Sequence, residues 1–159
     1  MKNLGLFCLL FAVIGLESCK NDQKEKVVDA EQAQAEKPIS VQCYKALYEK
    51  DSIDLKINTL KDGKISGNME MRILDMPVKR GKIVGEARGD TLFVSYTFIQ
   101  GGYEEKTYKN PMAFLKKGNE LILGNGKIEF VMGASFFVKG EPIDFDRVKY
   151  KFTTVDCVD

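Results

Sequence analysis

The sequence predicts an all-β protein: an antiparallel meander of about 7–9 strands forming a small closed or partly closed barrel of lipocalin-like shape. Three observations predict it. From residue 43 onward apolar residues recur at period two, the spacing that sends alternate side chains to opposite faces of a strand. Turn residues interrupt these runs at intervals of about 8–12 residues, as in small barrels and sandwiches. After Pro38 no apolar pattern of period 3.6 lasts beyond two turns, which leaves no amphipathic helix to lay over a sheet. One polar and one apolar face describe a single layer wrapped round a core; a β-sandwich is the alternative.

The elements follow in order. Ile53, Leu55 and Ile57 face one way, Asp54, Lys56 and Asn58 the other. Asp62-Gly63 then marks a hairpin turn, because both central residues must accept positive φ. Ile65, Gly67, Met69, Met71 and Ile73 alternate with Ser66, Asn68, Glu70 and Arg72. A short strand over 82–88 leads through Gly89-Asp90 to Leu92, Val94, Tyr96 and Phe98 on one face. Gly101-Gly102 ends that strand, and 105–116 is extended with Pro111 at a bulge or edge. Short strands over 120–123 and 127–132 sit between Gly118-Asn119, Gly124-Asn125-Gly126 and Gly133. Val148, Tyr150 and Phe152 alternate with Lys149, Lys151 and Thr153 in the last strand. Gly67 and Gly85, in mid-strand, mark bend points.

The first 18 residues read as a signal peptide. Lys2 supplies the positive start, Leu4 to Leu16 form an apolar run of 13 residues, and Glu17 ends it; the run is too short for the ~20 residues of a spanning helix. Leu16-Glu17-Ser18-Cys19 resembles a lipobox, in which the cysteine thiol is diacylated and the chain cut before it. Glu17 stands where that pattern holds a small or β-branched residue, which leaves ordinary signal cleavage as the alternative. Two or three acyl chains on Cys19 exceed the single chain that binds a membrane only marginally, and so suffice for stable anchoring. Residues 19–40 read as a polar tether without aromatics or glycine, and 41–159 as one domain. The expected address is the cell envelope, lipid-anchored to the outer membrane on its periplasmic or its surface-exposed face.

Cys8 leaves with the signal peptide and Cys19 takes the lipid, so Cys43 and Cys157 remain at the two ends of the domain. In an oxidising compartment two leftover cysteines pair. In an up-and-down barrel of even strand number, the start of the first strand lies beside the end of the last, where these two stand. The alternative is two unpaired buried thiols.

Composition excludes several functions. Net charge is +1, so there is no basic excess to hold nucleic acid. There is no histidine, which removes the commonest general base and metal ligand. No cofactor or metal is expected. Arg88-Gly89-Asp90 spells an adhesion tripeptide but reads first as a strand-to-strand turn. Asp51-Ser52-Ile53 and Asp90-Thr91-Leu92 look similar to bacterial O-glycosylation sites, and both also fall where turns want an aspartate. Glu141-Pro142-Ile143-Asp144-Phe145-Asp146 gathers three carboxylates, without the spacing of a calcium loop. Glu104-Glu105 beside Gly101-Gly102 is the other acidic pair. Tyr96, Phe98, Phe130, Phe136, Phe137 and Phe152 serve either a packed core or a cavity wall.

Cys43-Tyr44, Gly63-Lys64-Ile65-Ser66-Gly67, Gly89-Asp90-Thr91-Leu92 with Tyr96-Thr97-Phe98, and Val155-Asp156-Cys157 carry a resemblance across residues 43–157. There the chain resembles a family of uncharacterised lipoproteins from Gram-negative bacteria. The resemblance rests on turn residues and implies a fold, with no activity attached. Where many members have Ser-Glu-Gly, this chain has Gln100-Gly101-Gly102. The lipocalin Gly-x-Trp signature is absent, since there is no tryptophan.

The expected role is a non-enzymatic, membrane-anchored binding module for a small molecule, glycan or protein. A hydrolase using Glu104, Glu105 or another loop acid is the alternative, and a structural envelope component the third reading. An aromatic-lined cavity with one or two polar groups favours the binder. Two carboxylates ~5–10 Å apart in a cleft favour the hydrolase.

Overall fold

The computed structural model describes residues 37–158. Strands β1 (Ser40–Tyr48), β2 (Asp51–Thr59), β3 (Lys64–Arg72), β4 (Lys79–Arg88), β5 (Thr91–Gln100), β6 (Tyr103–Lys117) and β7 (Glu120–Leu123) form an antiparallel meander. A hairpin of β8 (Ile128–Val131) and β9 (Ala134–Phe137) follows, and β10 (Lys151–Val155) closes a barrel in the order β1-β10-β7-β6-β5-β4-β3-β2. Eight strands make the barrel, and β8–β9 is a separate two-stranded sheet. The 127–132 run expected within the meander therefore belongs to this satellite. β4 also begins at Lys79, earlier than the alternation around Ile83 suggested.

The period-two pattern is realised directly. Along β2, Ile53, Leu55 and Ile57 are buried while Asp54, Lys56 and Asn58 are half-exposed. Inward positions of β3 and β4 pair a large side chain with a glycine: Ile65 with Gly85, Gly67 with Ile83, Met69 with Gly81. A Cβ on Gly67 would collide with the Lys56 carbonyl oxygen, one on Gly85 with that of Phe93, and one on Gly81 with that of Thr97. The strands thus curl tightly where only glycine lets neighbouring backbones approach, and alternation of large and small residues fills a narrow interior. Pro111 lies on β6 where β7, which pairs only with 114–117, does not reach.

The core is one cluster, from Tyr44 and Ala46 on β1 round to Phe152 on β10, with Phe114 and Phe152 edge to face at 5.6 Å. Each such side chain contributes roughly 1.5–3 kcal/mol on burial.

β1 pairs with β10 in the register Cys43↔Val155 and Ala46↔Phe152. The Cys43–Cys157 disulfide closes this seam, with the Cα atoms 5.2 Å apart, inside the ~7 Å reach of a bridge. Further along, Tyr48 and Tyr150 meet edge to face at 6.3 Å. Tyr44 stands opposite Thr154, two pairs away from Phe152. The chain enters the barrel and leaves it at the same end, which also carries the β2–β3, β4–β5 and β6–β7 turns.

The disulfide spans 114 residues, so chain entropy gives it at most about 5 kcal/mol. Reduction is expected to lower the melting temperature by several degrees, on a scale of ~2–8 °C per kcal/mol for domains near this size. The β signal in circular dichroism should survive below the new midpoint. A melting curve indifferent to reductant would mean that packing alone holds the seam.

Candidate functional site

The far end of the barrel is open. Inward positions there are Met71 on β3, Lys79 on β4, Phe98 on β5, Asn110 and Met112 on β6, and Leu123 closing β7. With Tyr150 ahead of β10, and with Ile128 and Phe137 of the β8–β9 hairpin, they line a cavity of about 390 Å³. That size lies in the lower part of the ~300–1,000 Å³ range of small-molecule sites.

Its floor is aromatic. Tyr96 and Phe98 stack at 4.7 Å between centroids; Phe98 stacks in turn at 5.5 Å on Tyr108, which is exposed and lies outside the lining. Buried Tyr96 donates its hydroxyl to the Met69 carbonyl at 3.0 Å. Burial, then the nearby Glu70 charge, pushes its phenol above the usual range, so it stays a neutral donor. Lys79, half-buried, holds its ammonium 5.6 Å from the Phe98 ring centroid, a cation–π distance.

A second cluster buttresses the mouth. Asp51 continues the inward face of β2 and is buried. Its Oδ1 accepts the Leu74 amide at 2.8 Å, and its Oδ2 accepts Lys149 Nζ and the Tyr150 hydroxyl, each at 2.7 Å. The Lys149 hydrogen bond first, then the Leu74 amide and the Tyr150 hydroxyl, hold the carboxyl down at about 2. The same hydrogen bond raises Lys149 above the usual lysine range. Lys149 also lies 4.8 Å from the Tyr48 ring centroid and 5.2 Å from that of Tyr150. One carboxylate thereby ties β2, the β3–β4 loop and the approach to β10 together.

The residues singled out in the sequence fare differently. Cys43 and Cys157 are joined; Cys19 lies outside the described residues. Tyr96, Phe98 and Phe152 are interior, and Phe137 is half-buried at the cavity edge. Phe130 and Phe136 belong to neither core nor mouth cavity, being 74% and 52% exposed, though Phe136 lines a separate cleft between β9 and the barrel wall. The reason is the satellite sheet: β9 leans on β6, while β8 and the outward side of β9 have nothing over them. Glu104 and Glu105 stand exposed on β6, and no Asp or Glu lines the mouth cavity.

Within 141–146, Asp144 caps its own loop, accepting the Asp146 and Arg147 amides at 2.9 and 3.0 Å and Arg147 Nε at 2.8 Å. Its backbone pairs with Asn125, pinning the segment against the stretch after β7. Among the described residues no three His, Cys, Asp or Glu side chains gather as metal ligands do. Gly89, at φ 59°, turns β4 into β5, and Asp90 accepts the Lys116 amide at 2.7 Å. Ser52 and Thr91 lie half-buried in strands.

Sequence reading missed Lys79 and Asp51 as inward groups. The signal was parity: stepping back by twos from Ile83 reaches Lys79, and from Ile53 reaches Asp51.

The chain matches no protein-family model, no curated protein and no solved structure.

Asp51 titrates near 3.8 unfolded and about 2 folded, so its contribution to stability is complete above pH 4 and disappears as pH falls toward 2. Asp51→Asn is expected to lower the melting temperature at pH 7 by several degrees. The gap to the native chain should narrow between pH 4 and pH 2. A pH-independent gap would place the effect elsewhere.

Proposed function

We propose that the protein is a lipid-anchored envelope lipoprotein whose barrel is a non-enzymatic binding module, taking a small molecule into its open mouth. One observation carries this reading: the cavity of about 390 Å³, floored by the stacked rings of Tyr96 and Phe98 and edged by a few polar groups, Lys79 and Asn110 among them. A protein whose only task was structural would gain from filling that end of the barrel, since unfilled apolar volume costs stability.

Hydrolysis by paired carboxylates finds less support. That chemistry needs two acids flanking one cleft, whereas the lining of the mouth contains none and Asp51 is consumed by three hydrogen bonds. Asp54 and Glu70, which share a second cleft, are held in ion pairs with Lys45, Arg72 and Arg80.

Anchoring rests on Leu16-Glu17-Ser18-Cys19 behind the apolar run. β1 starts at the end opposite the mouth, and the stretch read as a polar tether separates it from Cys19 in sequence.

Two measurements test these statements. Cys19→Ala should move the protein from the membrane to the soluble fraction, and intact mass should show acyl groups on Cys19 only in the native chain. An unchanged membrane fraction would refute the anchor. For the mouth, the chain from residue 19 with Cys19→Ala should bind the neutral apolar fluorophore N-phenyl-1-naphthylamine saturably at one site. Met112→Trp, which fills the cavity from β6, should abolish that binding while the chain stays folded by circular dichroism. Probe binding that survives the substitution would place the site elsewhere.

A further inference from the structure

Resting on the binding reading above, the geometry points to a specific ligand class: an amphipathic monoanion, with a carboxylate head at Lys79 and an apolar tail against Phe98, Met71 and Met112. We infer this from the charge balance of the mouth. Two lysines line the cavity and no carboxylate does. Lys149 is already neutralised, its Nζ 2.7 Å from Asp51 Oδ2. Lys79 has no carboxylate partner among the described residues; its ammonium rests over the Phe98 ring instead. The surplus facing the ligand is therefore one positive charge.

Its position on the strand is also informative. Lys79 occupies an inward register, in line with Gly81 and Ile83 and opposite Met71. An ammonium there is partly desolvated by the wall and gains most from an anion entering the same space. A single cation matches a single negative charge; a doubly charged head would stay half-compensated. Asn110, on β6 and separated from β4 by the single strand β5, adds a neutral amide donor to the same lining. Around these groups the lining is apolar, with Phe98 buried and Met71 and Met112 packed on the core cluster. The polar head thus meets Lys79 and Asn110 while the tail meets that apolar lining.

The test is competition against N-phenyl-1-naphthylamine at pH 7, on the Cys19→Ala chain from residue 19. Decanoate, ionised at this pH, is compared with decanol of equal tail length. Decanoate should displace the probe with an affinity about tenfold or more above decanol's, the scale of one partly buried charge-assisted contact. Lys79→Met, which keeps the apolar stem and deletes the charge, should erase that preference, and Lys79→Arg should retain it. Equal affinities for the two ligands, or a preference untouched by Lys79→Met, would overturn the anion assignment while leaving the cavity as a binding site. Displacement by neither ligand from a chain that still binds the probe would overturn the amphiphile assignment alone. Failure to bind the probe at all would remove the binding reading and this inference with it.

Discussion

Closure of the β1–β10 seam is the constraint on which the rest of this molecule depends. An open eight-stranded sheet of this sequence would expose two edges and one apolar face. Bringing β10 back beside β1 removes both edges and turns the apolar face into an interior. The seam is short on the β10 side, with four residues in register, and it is held from both ends. The Cys43–Cys157 bond lies where the chain enters, while Tyr48, Tyr150 and the Asp51–Lys149 pair lie at the mouth. Residues about a hundred positions apart or more in sequence become neighbours there.

The curvature that permits closure comes from the β3–β4 pair. Gly67, Gly81 and Gly85 leave no room for a Cβ, and each faces a large inward residue on the partner strand. Outside the same pair runs a row of charges in register: Lys45, Asp54, Glu70 and Arg80 on four successive strands. Asp54 and Glu70 stand directly opposite, an unfavourable like-charge pair, and Arg72 bridges both. These pairs are largely solvent-facing and individually contribute little, ~0–1 kcal/mol. Their effect is on register, since a slip of one residue would turn the charges inward.

The interior closes unevenly. Around Leu55, Met69, Ile83 and Phe152 it is filled, but at the mouth Asp51 and Tyr150 are drawn to the wall by their mutual hydrogen bond. The β8–β9 hairpin leaves the barrel between β7 and β10 and contributes to the cavity edge without plugging it. The space available to a ligand is therefore a consequence of how the seam is held.

Local pattern was enough to read much of this from the chain. The alternation Ile53-Leu55-Ile57 and the Asp62-Gly63 and Gly89-Asp90 turns specify strands and hairpins, because strand period and turn chemistry are properties of a few adjacent residues. Two cysteines at the ends of one domain favoured a barrel over a sandwich, and the tertiary pairing of β1 with β10 decided that it is closed. Tertiary structure alone decided which short strands join the barrel. β8 and β9 have the same β-forming composition as β7, yet they pair only with each other and leave Phe130 and Phe136 in solvent. It also decided the partners of charged groups. Asp51, Lys149 and Tyr150 form one cluster, and Lys79 faces a cavity free of acids. Pairing energies depend on distance and burial, and neither exists until strands remote in sequence are brought together.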